Sequence, residues 1–214
     1  MPSDVSVKVC GLTSAAAMED ATKAGARYAG LVFFEKSPRN VSIDQAREIA
    51  LAAPIGLAKV ALTVDASDDF LQTLLDKVAI DIIQLHGKET PERVREVKAK
   101  FGLPVMKAVG VADKDDLFKL DMFSEVADQI LVDAKAPKGA DLPGGNGLSF
   151  DWTLIQGRRW STPWMLAGGL TPETARKAVE MTGARQLDVS SGVESAPGIK
   201  DAQKMQAFVQ AAQG

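Results

Sequence analysis

Trp164-Met165-Leu166-Ala167-Gly168-Gly169-Leu170-Thr171-Pro172-Glu173 decides the fold. An apolar run ends in a glycine pair, and a threonine then precedes a proline and a glutamate. Threonine is a helix N-cap and proline is tolerated at the first helical position, so a helix starts there. Gln186-Leu187-Asp188-Val189-Ser190-Ser191-Gly192 repeats the plan, a short apolar run closing on small residues. Each stretch is one strand feeding one helix.

Working outward, the same unit recurs along the chain. Strands are predicted at Val5–Cys10, Tyr28–Phe34, Leu57–Val64, Ile80–Leu85, Val105–Val109, Gln129–Val132, Trp164–Ala167 and Gln186–Val189. They are rich in Val, Ile and Leu, as strands covered on both faces should be. Between them lie amphipathic stretches with helix punctuation. Ser42 stands three residues before Gln45, the capping-box spacing, and Thr90-Pro91-Glu92 repeats the Thr-Pro-Glu start. Gly25, Gly102 and Gly183 stand where helices should stop. Strict alternation implies parallel strands with right-handed crossovers. Eight such units with no linker composition predict a single α/β domain over residues 1–214, a (β/α)8 TIM barrel. An open doubly wound sheet is the competitor. It expects a glycine-rich turn after the first strand, whereas Cys10-Gly11-Leu12-Thr13 has one glycine.

A barrel of this kind carries its chemistry at the C-terminal strand ends. The first ends on Cys10, which alternation puts on the same face as Lys8. A thiolate there could take a proton from a ligand, and a small buried core residue is the other reading. The loop after the second strand holds Arg39, able to fork onto a carboxylate or to stand in solvent. His86, the only histidine, ends the fourth strand. Asp133 follows the sixth; an apolar setting would favour its protonated form and suit it as an acid, and a cap or salt bridge is the alternative. A long loop follows with Gly144-Gly145-Asn146-Gly147. Gly168 and Gly169 end the seventh strand. Ser190, Ser191 and Gly192 follow the eighth. Loops after strands seven and eight are where barrels of this class hold phosphate.

Read in order, these segments resemble the phosphoribosylanthranilate isomerase family of tryptophan biosynthesis. The likeness rests on Lys8-Val9-Cys10-Gly11-Leu12-Thr13, Ser37-Pro38-Arg39, Gln84-Leu85-His86-Gly87, Asp133 before the glycine loop, Leu166-Ala167-Gly168-Gly169-Leu170 and Asp188-Val189-Ser190-Ser191-Gly192. It spans nearly the whole chain. The resemblance implies an Amadori rearrangement, aldose-amine to ketose-amine, with Cys10 as general base and Asp133 as general acid. It implies that Arg39 holds the anthranilate carboxylate and that His86 and Asp188 line the substrate site. Gly168, Gly169, Ser190, Ser191 and Gly192 would surround the phosphate, aided by Gly145 and Asn146. The family commonly has Thr or Ser at the position of Asn146. Two proton handlers are enough for that reaction, so no metal or redox cofactor is expected.

The totals narrow the alternatives. Lys+Arg 25 against Asp+Glu 28 gives a net charge of −3, against a nucleic-acid partner. With 46% apolar residues the chain can build a large core. One cysteine excludes an internal disulfide, fits a reducing cytoplasm and, with one histidine, offers too few soft ligands for zinc. No signal peptide or membrane-length apolar run is legible. The expected partner is a small phosphorylated molecule, with monomer and homodimer both open. Two other readings of the residues stand beside the isomerase: a different sugar-phosphate isomerase or epimerase, and a non-catalytic phosphate-ligand module.

Overall fold

A computed structural model describes residues 5–136, 142, 144 and 147–214. Eight parallel strands close on themselves in chain order: β1 (Ser6–Cys10), β2 (Tyr28–Phe33), β3 (Ala58–Thr63), β4 (Ile82–Leu85), β5 (Val105–Val111), β6 (Gln129–Ala134), β7 (Trp164–Leu166) and β8 (Gln186–Val189). Pairing of β1 with β8, Lys8 opposite Asp188, closes the ring. The eight-strand barrel expected from the alternation is the observed architecture.

Most strand limits fall within a residue or two of the sequence reading. Two differences matter. β5 and β6 each run two residues further, so Asp133 lies inside β6, in register with Gly110, rather than in the loop after it. The crossover from β6 to β7 carries a 3-10 turn at Trp152–Leu154 where a full helix was expected. Seven helices are seen among the described residues: α1 (Ala15–Ala24), α2 (Ile43–Leu51), α3 (Asp68–Lys77), α4 (Pro91–Phe101), α5 (Leu117–Ser124), α6 (Pro172–Thr182) and α7 (Ala202–Gln213). None is long and apolar enough to cross a membrane.

The helices begin where the punctuation put them. The Ser42 hydroxyl accepts from Gln45 N while the Gln45 side chain accepts from Ser42 N, completing the capping box of α2. Thr90 caps α4 with Pro91 next to it. At α6 the Thr171 N–H donates to Thr174 Oγ1 at 2.9 Å.

Two hydrophobic layers result. Outward-facing strand residues such as Val7, Val9, Ile83 and Leu187 meet the helices and are fully buried. Inside, Met106, Leu131 and Met165 fill one level of the barrel, while Cys10, Val32 and Leu62 form another. A filled interior rather than a pore is what an eight-stranded barrel permits.

One element was not anticipated. A two-stranded antiparallel hairpin, β9 (Glu194–Ala196) and β10 (Ile199–Lys200), stands between β8 and α7 and pairs Glu194 with Lys200.

Candidate active site

The C-terminal strand ends surround a cleft. Cys10, Arg39, His86, Asp133 and Asp188 all line it, as do Gly168, Gly169, Ser190 and Ser191. Gly192 stands behind the wall, against the Leu170 carbonyl. Gly145 and Asn146 lie outside the described residues.

Cys10 is buried at the end of β1. Two residues earlier on the same face is Lys8, whose ammonium is fully enclosed and donates to Asp188 Oδ1 at 2.8 Å. Strand register alone makes this pair, because Lys8 and Asp188 are direct partners across β1 and β8. Burial pulls the Lys8 ammonium down, but the Asp188 charge and the neighbouring Cys10 outweigh it and leave it above its ordinary value. Burial pushes the Cys10 thiol up; Lys8 pulls it back, Asp188 pushes it further, and Lys200 pulls back again. The net direction is up. Two cations, Lys8 and Lys200, thus favour the thiolate, and Asp188 acts against them.

Lys200 is brought in by the hairpin. Its side chain is enclosed, and Nζ donates to Ser190 O at 3.0 Å and to Glu194 Oε1 at 2.7 Å. Burial lowers the Lys200 ammonium below its ordinary value despite the Glu194 charge. Ser190 Oγ donates to Cys10 O at 3.0 Å, so the ends of β8 and β1 are tied together.

Arg39 is in the wall, but its fork is partly occupied. Nε and Nη2 donate to the two oxygens of Glu194 at 2.7 and 2.9 Å, with both side chains buried. Burial raises the Glu194 carboxyl, and the Arg39 and Lys200 contacts more than reverse this, holding it below its usual range. The guanidinium edge carrying Nη1 has no partner among the described residues. A ligand carboxylate would have to use that end-on edge.

On the far wall Asp133 Oδ1 accepts from Ala134 N at 2.8 Å. Oδ2 lies 3.3 Å from His86 Nε2. Gln84 Nε2 lies 2.9 Å from His86 Nδ1.

Between the two walls sit the turns after β7 and β8. Gly168 and Gly169 have φ of 88° and 63°, a left-handed backbone that a side chain would strain. A 3-10 turn opens at Ser191–Val193, and the first N–H groups of such a turn have no partner within it. Small residues line the cleft at two adjacent strand ends, the place where barrels of this kind hold phosphate.

The sequence brought together the residues that line the cleft but not their supports. Lys8 carried a signal, a charge inside an apolar strand two residues from Cys10. Gln84 carried a weaker one, an amide in an otherwise apolar β4. Glu194 and Lys200 carried only the Pro197-Gly198 turn between them, which marks a hairpin but not where its side chains reach.

Residues 7–211 match the family model described as N-(5'phosphoribosyl)anthranilate (PRA) isomerase. The chain is 62% identical over 208 residues to the N-(5'-phosphoribosyl)anthranilate isomerase of Cereibacter sphaeroides (strain ATCC 17023), covering 97% of this chain and 98% of that protein. Among solved structures it is similar to phosphoribosyl anthranilate isomerase from Thermotoga maritima, with a TM-score of 0.88 and 33% identity over 98% of this chain and 99% of that one. A phosphoribosyl anthranilate isomerase solved in complex with reduced 1-(o-carboxyphenylamino)-1-deoxyribulose 5-phosphate superposes with a TM-score of 0.84, at 32% identity over 98% and 99% of the two chains.

Proposed function

The chain belongs to the N-(5'-phosphoribosyl)anthranilate isomerase family, an enzyme family of tryptophan biosynthesis, and from that premise we propose that it works by an Amadori rearrangement with Cys10 as base and Asp133 as acid. One observation carries this reading. Cys10 and Asp133 line the same cleft from β1 and β6, with the two phosphate-type turns of β7 and β8 between them.

The substrate would be N-(5-phosphoribosyl)anthranilate, its phosphate against Gly168, Gly169, Ser190 and Ser191. Asp133 gives its proton to the ribose ring oxygen as the C1–O bond breaks, leaving an iminium between C1 and the anthranilate nitrogen. The iminium acidifies the C2 proton, which Cys10 takes as thiolate. The enolamine then gains a proton at C1 and loses one from its 2-hydroxyl, giving 1-(2-carboxyphenylamino)-1-deoxyribulose 5-phosphate. Protons balance, and every one is moved by a side chain or water. Arg39, gripped by Glu194, presents its end-on edge to the anthranilate carboxylate.

The experiment is turnover of phosphoribosylanthranilate followed by anthranilate fluorescence, in the parent, Cys10→Ala and Asp133→Asn proteins. Each variant should bind substrate but lose about two to four orders of magnitude in kcat, the range for removing a general acid or base. Near-parental kcat in Cys10→Ala would remove the thiol from the mechanism. An Asp133→Asn protein changed only in KM would make Asp133 a binding group.

A further inference from the structure

Gln84 lies inside β4, is not among the residues that line the cleft and is fully buried, yet it contacts the only histidine. We propose that Gln84 is a positioning residue: its amide fixes the tautomer of His86, so that His86 holds the carboxyl of Asp133 through Nε2–H. The inference rests on the reading of Asp133 as the acid, and adds a line of support behind it.

The argument is a count of protons. A neutral imidazole has one N–H and one lone pair, and the hydrogen bond at one nitrogen sets which end carries the proton. Gln84 Nε2 lies 2.9 Å from Nδ1, and an amide nitrogen can only donate, so Nδ1 is the lone pair. The proton of the neutral ring is then on Nε2, which lies 3.3 Å from Asp133 Oδ2. The other end of the amide, Oε1, is buried with no partner among the described residues. An unpaired buried acceptor is a cost, and the favourable end of the amide is spent on the histidine. A carboxyl oxygen can accept from Nε2–H with or without the acidic proton on the group. The contact therefore survives the proton transfer.

The surroundings hold this line rigid. Lys107 Nζ donates to Leu85 O at 3.2 Å and to Gly87 O at 2.8 Å, the two carbonyls flanking His86. The same ammonium pairs with Glu89, which accepts from Gly87 N. His86 N itself donates to Thr63 O. From the cleft side Gly144 lies so close that a Cβ on it would come within 2.5 Å of His86 Nε2 and 2.6 Å of Asp133 Oδ2. A side chain at that position would press on both groups.

Because there is one histidine, its ring nitrogens give an unambiguous pair of 15N resonances. The test is their measurement at about pH 8, above the ordinary histidine range, in the parent, Gln84→Leu and Gln84→Glu proteins, with kcat and KM alongside. The parent should show Nε2 protonated and Nδ1 bare. Gln84→Glu puts an acceptor at Nδ1 and should move a proton onto it; Gln84→Leu should mix the tautomers. In both, kcat should fall about ten- to a hundred-fold, the range for losing the partner that orients a metal-bound histidine, with KM little changed. A protonated Nδ1 in the parent overturns the proposal, and this needs no variant to fold. So does a Gln84→Glu spectrum equal to the parent's, or a shifted tautomer with unchanged kcat. Failure of the acid assignment is distinguishable: Asp133→Asn would then keep its kcat, while the parent tautomer could still be as stated.

Discussion

At the residue scale the decisive feature is the charge pattern around Cys10. Lys8, Asp188 and Lys200 all act on the thiol, and burial leaves it above its ordinary value. The thiolate is then the minor form near neutrality, and its fraction rises with pH until the raised value is passed. For a cysteine base, kcat/KM should climb over the same interval. Asp188→Asn removes a charge that disfavours thiolate, so its profile should move to lower pH. Lys8→Met removes one that favours it, so its profile should move to higher pH. Alkylation rates of Cys10 against pH give the same comparison without substrate; displacements in one common direction would refute the electrostatic account. Arg39 supports a second test at this scale. A charged hydrogen bond contributes roughly 1.5–3 kcal/mol, about ten- to a hundred-fold. Arg39→Ala should lose that factor in kcat/KM on the natural substrate and almost none on an aniline analogue lacking the carboxylate. Equal losses on both would leave Arg39 as a partner of Glu194 alone.

At the scale of elements, the turn after β4 is fastened more heavily than its length requires. Lys107 reaches from β5 to two carbonyls and to Glu89, and Glu89 Oε1 also accepts from Asp65 N after β3. Both charged side chains are almost fully enclosed. Removing one member of a buried pair strands the other, at roughly 3–5 kcal/mol. Lys107→Met and Glu89→Gln should each lower stability to urea by about that much. The double variant should lose less than the sum, because neither charge is left alone. Additive losses would mean that the backbone contacts, and not the ion pair, hold the turn.

At the scale of the molecule, the barrel depends on contacts between its two ends. β1 pairs with β8, and α7 packs on both α1 and α6, so the last helix covers the seam where the ring closes. Phe208 on α7 is wholly buried there. Phe208→Ala should cost about 3–5 kcal/mol, the range for truncating a core phenylalanine, read from the shift of the urea midpoint. A loss under about 1.5 kcal/mol, the size of a volume-conserving swap, would show that closure does not depend on this helix.

Local patterning by itself determined the architecture and the cleft. Apolar runs of strand length, the Ser42 and Thr90 caps and the small residues at 168–169 and 190–192 are all short-range features, and short-range features are what a linear reading detects. They put Cys10, His86, Asp133 and Asp188 at strand ends and Arg39 on the loop after the second strand, and a barrel brings these to one mouth. What only the tertiary structure decided is how those groups are held. The Lys8–Asp188 pair needs ring closure between residues 180 positions apart. The Arg39–Glu194 fork needs a hairpin whose turn Pro197-Gly198 marks but whose side-chain directions no local signal gives, and it takes two donors that a substrate carboxylate was expected to use. Asp133 moved from loop to strand because β6 continues as long as β5 offers it partners, which is a property of the sheet and not of either segment. Charge and hydrogen bonding act across space, so the ionisation of Cys10 and the tautomer of His86 are set by neighbours that sequence distance conceals.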